Sequence, residues 1–211
     1  MTVLDKLATA LNRRDEIPNQ ELAREIVRAN DTDAVRELVE NLSNKNRNIQ
    51  SDCIKTLDEI GTINPDLTAG YYKEFGKLLD SSNNRLVWGA MAALDTIALR
   101  QHRGVHSLLA KIIAATDVGS VITRDRAVGI LTKLGTLKQY ANDCTPPLIK
   151  LLATCPDNQF PMYAEMSLAV ITDRNREMFL EILIERLDTL EKESQRKRVG
   201  KVLKRLQSKP A

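Results

Sequence analysis

Apolar residues recur along the chain with the spacing of helices. Ile49, Cys53, Leu57 and Ile60 follow one another at intervals of four, four and three residues, so they form one stripe on a helix. An earlier stripe covers residues 35–42, and a short polar stretch separates the two. The pattern therefore predicts a helical hairpin whose two helices each have one apolar face.

The same pattern returns three more times at a spacing of 37 residues. A hairpin of this size cannot bury its own apolar face, so neighbouring hairpins must stack to do so. The sequence therefore predicts a helical repeat array with one continuous core. The repeated columns are Leu38, Phe75, Ile112 and Ile149; Cys53, Ala90, Ala127 and Ala164; Leu57, Leu94, Leu131 and Leu168; and Ile60, Ile97, Leu134 and Ile171.

Polar breaks and helix-ending residues mark the turns. The breaks at 43–48, 80–84, 116–120 and 155–158 are expected to cap the second helix of each hairpin. Gly61 and Gly135 are expected to end second helices as C-cap glycines. Pro146 and Pro147 are expected at the start of the first helix of the fourth repeat, where proline is tolerated.

Both ends of the array are predicted to be capping pairs of helices, over 2–12 with 19–29 and over 175–190 with 194–207. The whole chain is interpreted as one repeat domain, 1–211. Its predicted units are an N-terminal capping pair, 1–30; four repeats, 31–67, 68–104, 105–141 and 142–174; and a basic C-terminal capping pair, 175–211.

These units resemble HEAT repeats of the HEAT/armadillo class. Each has two helices, Leu and Ile in fixed columns and a small residue in the second helix, and an Asp follows the column leucine at Asp58 and Asp95. The fourth unit departs from the pattern, because Glu165 stands where other units have an apolar residue. A tetratricopeptide array would need a period of about 34 and its own Trp/Gly/Tyr pattern. The resemblance implies an all-α, right-handed superhelix of about six stacked hairpins, with second helices lining its concave face.

Composition adds few constraints. Apolar residues make up 43% and charged residues 28%, as in ordinary globular proteins. No stretch approaches the roughly 20 apolar residues of a membrane span, and the N-terminus lacks the continuous apolar region of a secretory signal. The three cysteines form no CxxC pair, which indicates buried, reduced thiols and a cytoplasmic location.

Positive charge collects at the C-terminal end. Residues 192–211 hold eight of the 31 Lys and Arg residues and only one of the 28 acidic residues. Such a cluster can follow a phosphate backbone or another acidic partner, and it equally suits the solvated cap of a repeat array. Further basic residues lie near the starts of second helices, at Arg47, Arg85, Arg124 and Arg126. The C-terminal patch consists of Arg196, Lys197, Arg198, Lys201, Lys204 and Arg205.

Positions of the second helices outside the core columns are the candidates for partner contacts. Trp is a favoured anchor at interfaces, and Met adapts to varied partners. The alternative is that Trp88 packs against a neighbouring repeat and that the methionines fill the core. The predicted contact residues are Asp58, Trp88, Asp95, Arg124, Arg126, Met162, Tyr163 and Met166.

Catalytic signals are weak. His102 and His106 have a spacing that can chelate a metal on a helix, but Gly104 between them favours a turn and no third ligand is near, so no metal or cofactor is expected. Some HEAT-like proteins are DNA glycosylases that excise alkylated bases, and a similar site here would use Trp88, Asp95, Arg124, Arg126 and Tyr163. Ala92 occupies the position, one turn after Trp88, where such a site wants a carboxylate.

The sequence therefore favours a non-catalytic scaffold or adaptor that binds a partner protein on its concave face. The alternative is a nucleic-acid-binding protein, with the alkylbase glycosylase as its catalytic form. Neither membrane insertion nor a small-molecule substrate is indicated.

Overall fold

The computed structural model describes residues 2–208, and they form helices and turns without a strand. The predicted all-α class is confirmed. Met1 and residues 209–211, which belong to the predicted capping pairs, lie outside the described residues. The α-helices are α1 (Ile17–Ala29), α2 (Thr32–Glu40), α3 (Arg47–Ile63), α4 (Tyr72–Leu78), α5 (Asn84–Ile97), α6 (His102–Ser107), α7 (Leu109–Val118), α8 (Val121–Gly135), α9 (Ala141–Thr154), α10 (Phe160–Ser167), α11 (Arg176–Thr189) and α12 (Glu193–Gln207).

The chain divides into two compact units, Met1–Ala127 (unit 1) and Val128–Ala211 (unit 2), with the boundary inside α8. In unit 1, α3 packs against α1, α2 and α5, and α4 packs against α5. The predicted columns form the core at these contacts. Fully buried column residues of unit 1 are Leu38, Cys53, Leu57, Ile60, Phe75, Ala90, Leu94, Ile97, Ile112 and Ala127.

The second helices of unit 1 begin where the polar breaks predict. The side-chain oxygen of Asn46 accepts a hydrogen bond from the Asn48 N–H at 2.9 Å, and Asn83 does the same for Arg85 at 3.1 Å. These contacts satisfy N–H groups that lack a partner in the first helical turn. The fourth break differs, because α10 begins without a side-chain cap.

A short helical segment precedes the hairpin in the second and third repeats. Before the hairpin that starts with α4 it consists of the 3-10 turns Pro65–Leu67 and Ala69–Tyr71, and before the hairpin that starts with α7 it is α6. These repeats therefore have three helical segments, which is the armadillo variant of the pattern. The turn predicted at Gly104 is wrong. A Cβ atom at Gly104 would lie 2.8 Å from the Tyr72 ring, so this glycine permits close packing within a helix.

Gly61 and Gly135 are not C-caps, contrary to expectation. Gly61 lies inside α3, which continues to Ile63, and Gly135 is the last residue of α8. None of the described glycines has a positive φ angle. A Cβ atom at Gly61 would lie 2.3 Å from Thr96 Oγ1, so the absence of a side chain here allows α3 and α5 to approach closely.

The predicted N-terminal helix over 2–12 is also wrong. Only Val3–Lys6 form a 3-10 turn, and irregular turns follow it. Leu7 and Ala8 are buried, but Leu11 is exposed and Asn12 has a left-handed φ of 53°, which ends helical geometry. The second helix of the pair is present as α1.

In unit 2, α10 packs against α9 and α12, and α11 packs against α9 and α12. The fourth repeat leaves the predicted register. After α10 ends at Ser167, Leu168–Val170 form a 3-10 turn, which advances about 120° per residue where an α-helix advances about 100°. Val170 is therefore buried, while Leu168 and Ile171 of the predicted columns are only half-buried.

The first helix of the fourth repeat differs as well. α9 begins at Ala141, so Pro146 and Pro147 lie inside it, and the start predicted at these prolines is wrong. Leu148 and Leu152 are fully buried, whereas the column residue Ile149 is half-buried. The last pair of helices, α11 and α12, falls within one residue of the predicted limits.

All three cysteines are buried and free, as predicted. Burial raises the pKa of the Cys53 thiol to about 12, that of Cys144 to about 12 and that of Cys155 to about 11. Thiols with such pKa values are protonated at neutral pH and act as small apolar side chains. No described helix has both the length and the apolar character to cross a membrane.

Candidate partner-binding groove

A groove of about 940 Å³ lies in unit 1. One wall is the N-terminal segment between Ala8 and Asn19, and the rest is formed by α3, α5 and the first turns of α8. The side chains that these three second helices contribute include Ser51, Lys55, Trp88, Ala92, Ile122 and Arg126.

Asp52 holds the N-terminal wall against α3. Its Oδ2 atom accepts a hydrogen bond from the Thr9 N–H at 2.7 Å, and its Oδ1 atom accepts one from the Asn19 side-chain amide at 2.9 Å. Asn19 Oδ1 in turn accepts a hydrogen bond from the Ala8 N–H at 3.0 Å. This wall could not be predicted from the sequence, because irregular turns carry no periodic signal.

Trp88 fits both of the roles predicted for it, packing against its own protein and contact with a partner. Its side chain is half-buried on α5 and lines the groove, so the ring both packs and presents apolar surface. Ile122 lines the same groove with 46% of its surface exposed. Ala92 and Gly89 of α5 line the groove as well, and a Cβ atom at Gly89 would lie 2.5 Å from Ile54 Cγ1, so this glycine allows close packing against Ile54. Apolar residues of α3, α5 and α8 thus line part of the groove, and most of the other lining residues are polar or charged.

Two buried carboxylates lie at corresponding positions of α3 and α5. Asp58 and Asp95 are each 8% exposed. Arg126 Nη1 donates a hydrogen bond to Asp95 Oδ2 at 3.4 Å. Lys55 Nζ lies 3.8 Å from Asp58 Oδ2 and contacts Glu59 Oε1 more closely, at 2.7 Å. Asp58 Oδ1 is enclosed and has no hydrogen-bond partner among the described residues.

This environment leaves Asp58 incompletely compensated. Burial raises the pKa of the Asp58 carboxyl above its usual value, although Arg126 and Lys55 act in the opposite direction. For Lys55, partial burial opposes the charge, but the hydrogen bond to Glu59 and the nearby acidic groups outweigh it and raise the pKa. An ionised Asp58 therefore costs folding free energy at neutral pH.

We expect Asp58→Asn to stabilise the protein at pH 7 by on the order of 1 kcal/mol, because it removes a buried charge that is poorly paired. The folded pKa of Asp58 lies above the unfolded one, so its protonated form is favoured on folding. That contribution is fully present below the unfolded pKa of about 3.8 and is lost as pH rises through the folded pKa. The difference in the free energy of unfolding between variant and wild type, measured by urea unfolding, should therefore become smaller from pH 7 to pH 4.

The control for this measurement is Glu21→Gln, because Glu21 is an exposed carboxylate of unit 1 that lies beyond the first turn of α1. Its effect should stay within about 0.5 kcal/mol at both pH values. A less stable Asp58→Asn variant at pH 7 would mean that Lys55 and Arg126 compensate the charge after all.

Other predicted contact residues lie elsewhere. Arg124 Nε donates a hydrogen bond to the Thr116 carbonyl at 3.0 Å, which ties α8 to α7. Tyr163 of unit 2 is 1% exposed and cannot contact a partner, whereas Met162 and Met166 of that unit are half-buried. Neither Arg124 nor Tyr163 is among the residues that line the groove, and Tyr163, which the glycosylase alternative would use, is buried.

Half of the predicted basic patch on α12 is used within unit 2. Arg196 donates a hydrogen bond to the Leu190 carbonyl at 2.6 Å, and Lys197 pairs with Glu193 at 2.8 Å. Arg198 binds both carboxylate oxygens of Glu165, at 2.8 and 2.6 Å. This pair explains why the fourth repeat has an acidic residue at an otherwise apolar column. The remaining members of the patch, Lys201, Lys204 and Arg205, are exposed.

His102 and His106 lie on α6, and the described residues contain no group of three or more His, Cys, Asp or Glu side chains arranged to hold a metal ion.

No protein-family model and no curated protein matches the sequence. Solved structures match its fold. The designed armadillo repeat protein YIII(Dq.V1)4CPAF, in complex with peptide (KR)4, is 18% identical with a TM-score of 0.70 over 89% of this chain and 86% of its own. The designed armadillo repeat protein YIII(Dq)4CqI is 18% identical with a TM-score of 0.64 over 96% of this chain and 99% of its own.

A structure of computationally designed armadillo repeat proteins for modular peptide recognition is 17% identical, with a TM-score of 0.67 over 96% of this chain and 97% of its own. At these identities the matches show the fold alone. The chain thus has a HEAT/armadillo-like helical-repeat fold, and the predicted resemblance is confirmed.

Proposed function

We propose that the protein is a non-catalytic helical-repeat scaffold that holds a segment of a partner protein in the groove of unit 1. The observation that carries this proposal is that one groove is lined by both the half-buried Trp88 and the exposed Ile122. Tryptophan is enriched among the residues that dominate binding energy at interfaces. Apolar surface gathered in a groove is typical of partner sites.

The dimensions of the groove suit a short extended peptide. Its volume of about 940 Å³ lies at the upper end of the range of about 300–1,000 Å³ for ligand cavities. Packed helix axes lie about 8–10 Å apart, and an extended chain advances about 3.3 Å per residue. A peptide that crosses α3, α5 and α8 therefore needs about five or six residues between the outer helices.

The structural neighbours support the same kind of ligand. One is a designed armadillo repeat protein in complex with a peptide, and another belongs to a set designed for modular peptide recognition. A backbone of this fold can thus bind a peptide. The identity of the side chains differs at more than four positions in five, so the neighbours support a peptide ligand but give no sequence for it.

A peptide selection tests the proposal. A display library of random twelve-residue peptides is selected on the immobilised full chain, and the best binder is measured on wild type and on Trp88→Ala. We expect a convergent set of peptides and at least about a tenfold weaker affinity for the variant, since anchor residues contribute more than about 1.4 kcal/mol.

The matched control is Leu99→Ala, because Leu99 is an exposed apolar residue of unit 1 that does not line the groove. Its affinity should equal that of wild type. Both variants should keep the circular dichroism spectrum of the folded chain. If no peptide is enriched, or if Trp88→Ala binds as tightly as wild type, the groove is not the partner site.

A further inference from the structure

We infer that the partner segment is acidic, with an aliphatic or aromatic residue between its carboxylates. This inference rests on the proposed function and names the chemistry of the ligand in the same groove. Its basis is the charged groups of the groove. Some of them are paired within the protein, and others are accessible without a partner.

The acidic groups of the N-terminal wall and α3 are engaged. Asp15 binds Arg13 through both of its oxygens, at 2.9 Å each. Glu16 lies 3.3 Å from Lys55 Nζ. Asp52 accepts hydrogen bonds that fix the wall. Asp15 and Glu16 are therefore already paired with cations of the protein, which weakens their attraction for a cationic ligand.

Two arginines of the same groove are not engaged. Arg14 and Arg85 line the groove and are exposed, and no hydrogen bond or ion pair joins their side chains to another described residue. Asp58 offsets them only in part, because its side chain is 11% exposed, its Oδ1 atom is enclosed, and Lys55 Nζ lies 3.8 Å from its Oδ2 atom. The accessible charge that lacks a partner is thus positive.

The helix ends add to this potential. α3, α5 and α8 present equivalent second residues, Asn48, Arg85 and Ile122, to the groove, so these three helix starts border it. None of the three helices has an acidic residue in its first turn. A helix start carries partial positive charge and is stabilised by acidic side chains, so Arg85 here raises the positive potential at a cost in stability.

Arginine suits carboxylates in particular. Its planar guanidinium forms two parallel hydrogen bonds with one carboxylate, which are stronger than neutral hydrogen bonds. Trp88 and Ile122 lie within the same groove and offer apolar contact to a side chain between two acidic residues. The resulting ligand is opposite in charge to the (KR)4 peptide bound by the designed neighbour.

The display selection also tests this inference, through the charge of the enriched peptides. We expect them to carry net negative charge and one large apolar residue. The best peptide is then synthesised, together with a copy in which every Asp and Glu is replaced by Lys. The acidic peptide should bind the double variant Arg14→Glu/Arg85→Glu at least tenfold more weakly than it binds wild type. The Lys copy should bind the double variant more tightly than it binds wild type.

The matched control is Arg24→Glu, because Arg24 is an exposed arginine of α1 that does not line the groove. It should leave both affinities within about twofold of wild type, since an exposed charge outside the contact has little effect. Circular dichroism and thermal unfolding confirm that each variant is folded.

The outcomes separate this inference from the proposed function. Enriched peptides that are basic or uncharged, with binding that still depends on Trp88, would overturn the acidic ligand and keep the peptide groove. Enriched peptides that bind Trp88→Ala as tightly as wild type would overturn both the acidic ligand and the peptide groove. A twelve-nucleotide oligothymidine that binds wild type more tightly than the best peptide would overturn the inference in favour of a nucleic-acid ligand.

Discussion

Leu131→Ala is expected to lower the free energy of unfolding by about 3–4 kcal/mol, whereas Leu168→Ala lowers it by about 1 kcal/mol or less. Both leucines occupy the same column of the sequence repeat and both belong to unit 2. Leu131 is fully buried, so its truncation removes buried surface and leaves a cavity. Leu168 is half-buried because the 3-10 turn after α10 rotates it out of the column.

Urea unfolding followed by far-ultraviolet circular dichroism measures this difference. Val170→Ala is a useful companion, because Val170 takes the buried place in the fourth repeat. It should cost more than Leu168→Ala even though it removes fewer atoms. Equal losses for Leu131→Ala and Leu168→Ala would mean that the fourth repeat keeps the register of the other three.

Arg186→Ala is expected to cost about 3 kcal/mol, the second large effect. The Arg186 side chain is 16% exposed and donates hydrogen bonds to the Ala153 and Cys155 carbonyls at 2.8 and 2.9 Å. It also pairs with Asp157 at 2.8 Å and lies over the Phe160 ring at 4.5 Å from its centroid. The guanidinium therefore satisfies carbonyls at the end of α9. Without it, these carbonyls would be shielded from water and would lack a hydrogen-bond donor.

Arg186→Lys should recover less than half of this loss, because an ammonium group lacks the planar fork that reaches two carbonyls and a carboxylate together. Arg174→Ala serves as the control, since Arg174 is exposed in the same unit, and it should change stability by less than about 0.5 kcal/mol. A lysine variant as stable as wild type would show that charge alone, and not the fork, stabilises this end of α9.

The core of unit 1 could be predicted from the sequence, because helix periodicity is a local signal and the 37-residue spacing repeats it. Cys53, Leu57 and Leu94 are buried as their columns predict. The asparagine caps of α3 and α5 could also be predicted, since capping depends on residues only two positions away.

The predictions that were wrong concern residues whose packing partners are distant in sequence. Gly61 and Gly104 look like helix-ending residues in isolation, but their neighbours Thr96 and Tyr72 come from other helices and make close packing the reason for glycine. The change of register after Ser167 has no local marker.

The same distinction applies to the groove. Asp58, Trp88 and Arg126 were identified because they occupy positions of second helices outside the core columns. The N-terminal wall, including Arg14, could not be placed, since its position depends on the hydrogen bonds of Asp52 to irregular backbone.

The burial of the three cysteines has a practical consequence for kinetics. Cys53 belongs to unit 1, whereas Cys144 and Cys155 belong to unit 2, and none reacts readily as a protonated thiol inside the fold. Pulsed alkylation followed by mass spectrometry can therefore time the opening of each half of the chain separately, with no engineered label. A new cysteine at any exposed position would in turn accept a dye alone, while the native thiols stay unmodified.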